Sequence, residues 1–329
     1  STMSKLSFAC SLYDRMQSLY TGEVKPEGFD LDFVAVEWAR TIFDKMSGEQ
    51  AFDASELSSS EFISRLAAGQ CPFVAIPVFP SRIFRHSFIW INARSGIRSP
   101  RDLAGKRIGV PLYTMTAAIW IRGHLEDDYG VDLSGVHWVQ GAINEAGSHG
   151  QPTVMPLLKP VDIEINHSDK SLSDLMSEGR IDAMIGTNHP LSRKTNPDVQ
   201  RLFPDYPAVE KAYYRKTGVH PIMHLVAIRK EVYERNPAVA KSLYEACCKS
   251  KRIAMQRMRH LGAPRTMLPW MGAEVDEIDA VFGEDYWPYG VERNRATLEK
   301  LTQYMVRQSL IAKAPKLDDI FVPIDSPLY

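Results

Sequence analysis

Residues with obvious chemistry concentrate in the segment PVFPSRIFRHS, where Arg82, Arg85 and His86 fall within five positions of one another after an apolar run. A turn rich in guanidinium groups suits an acidic ligand, because the planar fork binds a carboxylate through two parallel hydrogen bonds that lysine cannot reproduce. The ordinary alternative is that these arginines pair with acids such as Glu56 or cover aromatic rings. His220 and His224 have the i,i+4 spacing of a helical zinc pair, but Pro221 and the following LVAI make this an extended segment. In a strand such rings stand about 13 Å apart, too far to share one ion. His224, entering the strand, is therefore read as an acid or base, with a satisfied core histidine as the alternative.

Other candidates follow strand-like runs. Tyr13, Asp14 and Arg15 come just after the first run, where an Asp–Arg pair and a ligand contact are both open readings. Ser58, Ser59 and Ser60 open one helical pattern, and Tyr113, Thr114 and Thr116 precede or open another. Ligands of open α/β sheets bind outside the carboxyl ends of the strands, where helix N-termini also point their free N–H groups. Ser59, Ser60, Tyr113 and Thr116 are thus candidates for holding a carboxylate, with helix capping as the alternative. His189, in GTNHP, occupies the comparable loop of a later strand and is either a turn residue or a ligand contact.

The elements that must position these residues alternate. Residues 6–9, 31–36, 73–78 and 88–92 read as strands, and residues 41–46 and 61–68 have helical spacing. A second series comprises strands at 107–110, 136–139, 161–165 and 181–185, with helices from 116 and over 171–178. Such βα alternation predicts mostly parallel sheets. After a strand at 224–228 the chain is mostly helical, over 237–260, 274–282 and 294–309. That helical end needs a sheet to cover, and the economical solution places it on the first one. The expected crossings near 93–106 and 218–224 give one discontinuous lobe, 1–95 plus 222–329, a second lobe, 96–221, and a ligand cleft between them.

Bulk properties narrow the function. At 329 residues, 44% apolar and 24% charged, the chain has the size of two globular domains. Lys and Arg total 39 against 40 acidic residues, so no overall field gathers nucleic acid or anionic lipid. The cysteines at 10, 71, 247 and 248 form no CxxC pair, which fits a reduced compartment. No apolar stretch approaches the roughly 20 residues of a membrane helix. Met3 leads directly into the first strand-like run, leaving no room for a signal peptide, so a cytoplasmic location is expected, with homo-oligomerisation left open.

Several long segments resemble the 4,5-dihydroxyphthalate decarboxylase family: SLYDR at 11–15, FDASELSSSEF at 52–62, FVAIPVFPSRIFRHSFIW at 73–90, TAAIWIRGHLEDDYGV at 116–131, GVHPIMHLVAIRKEVYERNP at 218–237 and WPYGVERNRATLEKL at 287–301. The resemblance implies an α/β fold of the two-lobed type II periplasmic-binding-protein kind, each lobe a mostly parallel sheet flanked by helices. It also implies decarboxylation of a hydroxylated aromatic dicarboxylate, 4,5-dihydroxyphthalate giving 3,4-dihydroxybenzoate and CO2. That chemistry needs a general acid over the ring, an acceptor at the phenol and cations on the carboxylates. Arg82 and Arg85 are then expected as carboxylate clamps, His86 or His224 as proton donor, and Asp14 or the other histidine at the catechol end. Arg15, Ser59, Ser60, Tyr113, Thr116 and His189 complete the expected substrate contacts. No organic cofactor is expected, no metal residue is assigned, and a divalent ion held by scattered ligands and the catechol stays open. The alternative is a solute-binding protein that captures an aromatic carboxylate for a transporter without chemistry.

Overall fold

The computed structural model describes residues 3–151 and 155–329. Its strands, in chain order, are β1 (Ser4–Cys10), β2 (Phe29–Ala35), β3 (Ala54–Ser58), β4 (Phe73–Ile76), β5 (Ile89–Asn92), β6 (Arg107–Val110), β7 (His137–Gln140), β8 (Ile163–Ile165), β9 (Ala183–Ile185), β10 (Val199–Arg201) and β11 (His224–Arg229). They form two sheets, ordered β2-β1-β3-β11-β4 and β10-β5-β9-β6-β7-β8. Each sheet is the centre of one compact unit: Ser1–Arg82, His224–Glu299 and Pro315–Tyr329 form the first, Ile83–Met223 and Lys300–Ala314 the second.

The sheets are mostly parallel, as expected, and each is made mixed by a single reversed strand. In the first, β1 pairs in parallel with β2 and β3, and only β11 runs against its neighbours β3 and β4. In the second, β6 pairs in parallel with β7 and β9, and only β5 runs against its neighbours β9 and β10. Each reversed strand is the first strand laid down after the chain passes from one unit to the other.

That also moves the first crossing from the expected 93–106 to Arg82–Ile83, because β5 hydrogen-bonds into the second sheet. The C-terminal helices divide as well. Ala238–Met258 and Met271–Phe282 lie in the first unit, whereas the helix Arg295–Arg307 joins the second from Lys300 onward. There the Tyr304 ring meets Trp120 edge to face at 5.7 Å, and Gln308 accepts from Arg122 Nε at 2.9 Å. A Cβ at Gly123 would stand 2.2 Å from the Tyr304 ring, so this close approach requires glycine.

The first core is built on Phe8, Leu57, Ile76 and Val226, all fully buried. Central β3 is buried at all five positions although it reads Ala-Ser-Glu-Leu-Ser, which lacks the apolar run of an ordinary interior strand. Such a strand buries polar groups that demand partners. Among the described residues, no helix is long and apolar enough to cross a membrane.

Candidate active site

The partners of β3 define the site in the first unit. Glu56 is wholly buried, and its Oε2 lies 2.6 Å from Tyr13 Oη and 2.6 Å from His224 Nδ1. Oε1 accepts the Ser11 backbone N–H at 3.2 Å and faces Cys10 Sγ at 3.5 Å. The register explains the meeting: β11 begins at His224 opposite Ser58, so the histidine stands at the carboxyl end of β3, beside the loop that follows β1. Burial raises the Glu56 pKa, but the His224 charge and the hydrogen bonds from His224, Tyr13 and Ser11 outweigh it and hold the group below the ordinary carboxylate value. Burial first, then the Glu56 charge, pushes the Tyr13 phenol far up, so it stays protonated and donates. With the carboxylate accepting from both, the hydrogen on the His224–Glu56 bond belongs to Nδ1, and Nε2 is left for chemistry. Phe43 steadies the imidazole edge-on at 4.8 Å, and the side chain keeps 18% exposure. The sequence reading offered Glu56 only as an arginine's partner; the observed partners are His224, Tyr13, Ser11 and Cys10.

Arg15 is consumed by its surroundings. Its guanidinium lies 4.0 Å from the Tyr13 ring and 4.5 Å from the Trp287 ring, donates to the Pro80 carbonyl, and meets Asp14 at 3.3 Å. It therefore fixes Tyr13 rather than presenting a free fork to a ligand. Asp14 is exposed, and Arg82 is buried with Nη1 donating to the Pro288 carbonyl at 3.0 Å. Ser58 caps the helix Ser59–Ala67, and its hydroxyl lies 3.2 Å from that of Ser60. The Ser59 hydroxyl is buried and has no hydrogen-bond partner among the described residues.

In the second unit His86 corrects the expectation of a proton donor, because it sits in the core with 1% exposure. Its ring stacks on His124 at 5.0 Å, with Tyr213 and Phe203 each at 5.6 Å. Burial holds His124 down at about 4, against an ordinary 6.5, with Asp128 at 3.7 Å opposing and the nearby charges of His86 and Lys300 adding to the fall. A base with a depressed folded pKa binds fewer protons folded than unfolded, so its contribution is complete above about pH 6.5 and is lost as the pH falls toward 4. Acidification across that window is expected to remove about 3 kcal/mol of stability. His124→Phe should flatten the dependence. Denaturant titrations at pH 7 and 4.5 check this, and equal losses in both proteins would exclude His124 as the titrating group.

Arg85 is buried over the Phe88 ring at 4.5 Å, and burial pushes its pKa down to about 9, with Glu210 opposing, which leaves it cationic at neutral pH. Among the described residues its Nε has no hydrogen-bond partner. His189 stacks on Phe88 and accepts the Trp90 indole N–H, while Tyr113 is buried over Arg122 at 3.8 Å and Thr116 is the buried first residue of the helix Thr116–Tyr129. The structure thus joins His224 to Tyr13 and Glu56 in the first unit, and Arg85 to His189 in the second. Among the described residues, no group of three or more His, Cys, Asp or Glu side chains is arranged to hold a metal ion.

Two sheets flanked by helices, exchanged by a chain that leaves the first unit and returns to it, define a protein of the periplasmic-binding-protein fold. A periplasmic aliphatic sulphonate-binding protein from Escherichia coli superposes with a TM-score of 0.53 at 11% identity, over 98% of this chain and 94% of that one. A putative periplasmic sulfonate-binding protein from Methylobacillus flagellatus gives 0.52 at 15% identity, over 98% and 92%. These likenesses establish the fold alone. No family model matches the sequence. A 4,5-dihydroxyphthalate decarboxylase from Comamonas testosteroni is 33% identical over 324 residues, 98% of this chain and 98% of that protein. One from Pseudomonas putida is 38% identical over 211 residues, 64% of this chain and 81% of that one. The chain belongs to the 4,5-dihydroxyphthalate decarboxylase family and is a carboxy-lyase, which favours the enzyme over the solute-binding alternative.

Proposed function

We propose that the protein removes one carboxylate from 4,5-dihydroxyphthalate, giving 3,4-dihydroxybenzoate and CO2, with His224 as the proton donor. The observation that carries this reading is the bond from His224 Nδ1 to the buried Glu56 carboxylate. In the substrate each carboxylate is para to a hydroxyl, whose electron density supports protonation of the ring carbon that bears the carboxylate. His224 Nε2 delivers that proton, a C–H bond forms, and a dienone-like intermediate results. The bond to the carboxylate then breaks, CO2 leaves, and the bonding pair restores the aromatic ring as the phenol proton is redistributed. Glu56 stabilises the imidazolium before transfer and holds the ring in place after it.

Arg82 and Arg85, each buried in its own unit, are the proposed cations for the carboxylates, with Ser59, Ser60, Tyr113 and Thr116 as hydrogen-bonding candidates and Asp14 at the catechol end. No organic cofactor enters this scheme, a divalent ion held partly by the catechol is compatible with it, and the cytoplasm is the proposed location. Incubation of the purified protein with 4,5-dihydroxyphthalate should release one CO2 per 3,4-dihydroxybenzoate formed. Tight binding without release, with and without added divalent metal, would return the reading to a solute-binding protein.

A further inference from the structure

Three guanidinium groups surround one aromatic column in the second unit. Arg85 Cζ lies 4.5 Å from the centre of the Phe88 ring, and Phe88 stacks on His189 at 4.7 Å and 19°. His189 Nδ1 accepts the Trp90 indole N–H at 3.2 Å. Arg201 Cζ lies 4.6 Å from the Trp90 ring, and Arg193 Cζ lies 5.9 Å from it. The strand register brings these residues together: Trp90 on β5 is opposite Arg201 on β10, and Ile89 is opposite Ile185, the last residue of β9 before the loop that carries His189 and Arg193. The column therefore stands at the carboxyl ends of β9 and β10, the edge at which α/β sheets bind ligands.

Its electrostatics are unusual for a structural feature. Like charges gathered this closely are ordinarily paired with acids. Here none of the three arginines forms an ion pair among the described residues; Arg201 Nε donates only to the neutral Ser87 carbonyl at 3.3 Å, and Arg85 Nε is buried without an acceptor among those residues. Glu210, the acid that acts on Arg85, does so beyond ion-pair distance and bonds the His86 backbone N–H instead. An indole N–H can only donate, so His189 Nδ1 carries no proton and a neutral ring holds its hydrogen on Nε2. Burial, then Arg201, Arg193 and Arg85, hold this histidine below its ordinary pKa, which keeps the ring neutral and Nε2–H a donor. The surroundings thus offer hydrogen-bond donors and positive charge with no internal anion to receive them.

We infer that Arg85, Arg193 and Arg201, with the Nε2–H of His189, form an anion site that holds one carboxylate of an aromatic dicarboxylate. The inference rests on the substrate class proposed above and adds to it: Arg193 and Arg201 bind the carboxylate that is retained or lost, and Trp90 is a positioning residue that sets the His189 tautomer. A planar carboxylate fits guanidinium forks better than a spherical anion does.

Phthalate, which has both carboxylates but no hydroxyl to support the reaction, is the probe, titrated by calorimetry against the full-length protein. Arg85→Gln is expected to raise its Kd about 10- to 100-fold, and Arg201→Gln and Arg193→Glu about tenfold each. Arg193 is exposed, so its variant keeps the test open should Arg85→Gln fail to fold. Trp90→Phe, which removes the indole donor, should weaken phthalate binding while leaving the circular dichroism spectrum unchanged. A parent protein that does not bind phthalate at millimolar concentration overturns the site, as does a Kd within twofold of the parent's in both folded Arg193→Glu and Arg201→Gln. The proposed function is tested separately by CO2 release from 4,5-dihydroxyphthalate. Arginine-dependent phthalate binding without release would overturn that reading and leave the anion site standing; release with arginine-independent phthalate binding would do the reverse.

Discussion

Replacing His224 by Ala is expected to lower the rate of CO2 release by about two to four orders of magnitude while changing substrate affinity by less than about threefold, the pattern of a lost general acid. Nε2 is the one polar atom of the ring not committed to Glu56, and its task arises only when the ring carbon takes a proton. The alanine variant also leaves Glu56 buried without the Nδ1–H donor at 2.6 Å, so its stability will fall together with its rate. His224→Asn separates the two effects. The asparagine amide can stand where Nδ1–H stood and satisfy the carboxylate, yet it cannot deliver a proton from the Nε2 position. Single-turnover CO2 release and ligand titration on both variants check this. A His224→Asn protein with parental release would move the acid to another residue, and equal losses of binding and rate would make His224 a substrate contact.

The histidine itself was legible in the sequence because Pro221 and the LVAI run mark the start of a strand, but its partner was not. Glu56 lies 168 positions away, on a strand whose polar composition hides it from any search for apolar runs. Only the register of β11 against β3 makes the pair. His86 failed for the opposite reason. Its neighbours Arg82 and Arg85 gave it the look of a turn histidine, whereas the residues that bury it, His124, Phe203 and Tyr213, come from distant segments. The strand β10 has three residues and the helix Tyr206–Thr217 begins at a Tyr-Pro pair, so neither announces itself by periodicity. Arg201 on that short strand consequently escaped notice, although it lies against the same column as Arg85 and His189, both of which the sequence singled out. Local pattern reveals which residues can do chemistry; pairing across strands decides which of them meet.

Glu56 should matter through His224, and two substitutions distinguish its charge from its shape. Glu56→Ala removes the acceptor for Tyr13 Oη, His224 Nδ1 and the Ser11 N–H together, so it is expected to cost about 3–5 kcal/mol of stability, the usual consequence of breaking a buried charged pair. Glu56→Gln keeps the volume and one acceptor oxygen but loses the charge. It should fold, bind substrate nearly as the parent does, and lose about one to three orders of magnitude in turnover, because the imidazolium that carries the proton is no longer stabilised. Acid stability supplies an independent readout. The Glu56 pKa is held below its ordinary 4.5 in the folded chain, so the carboxylate contributes stability that is complete above that value and is lost as the pH falls through the lower, folded one. Glu56→Gln cannot titrate, so the part of the acid loss that begins below about pH 4.5 should disappear from its unfolding curve. Glu56→Asp, which keeps the charge on a shorter arm, should recover part of the turnover and all of the acid dependence. Parental turnover in Glu56→Gln, with the acid dependence altered as expected, would leave Glu56 a structural anchor for β11 and remove it from the proton-transfer step.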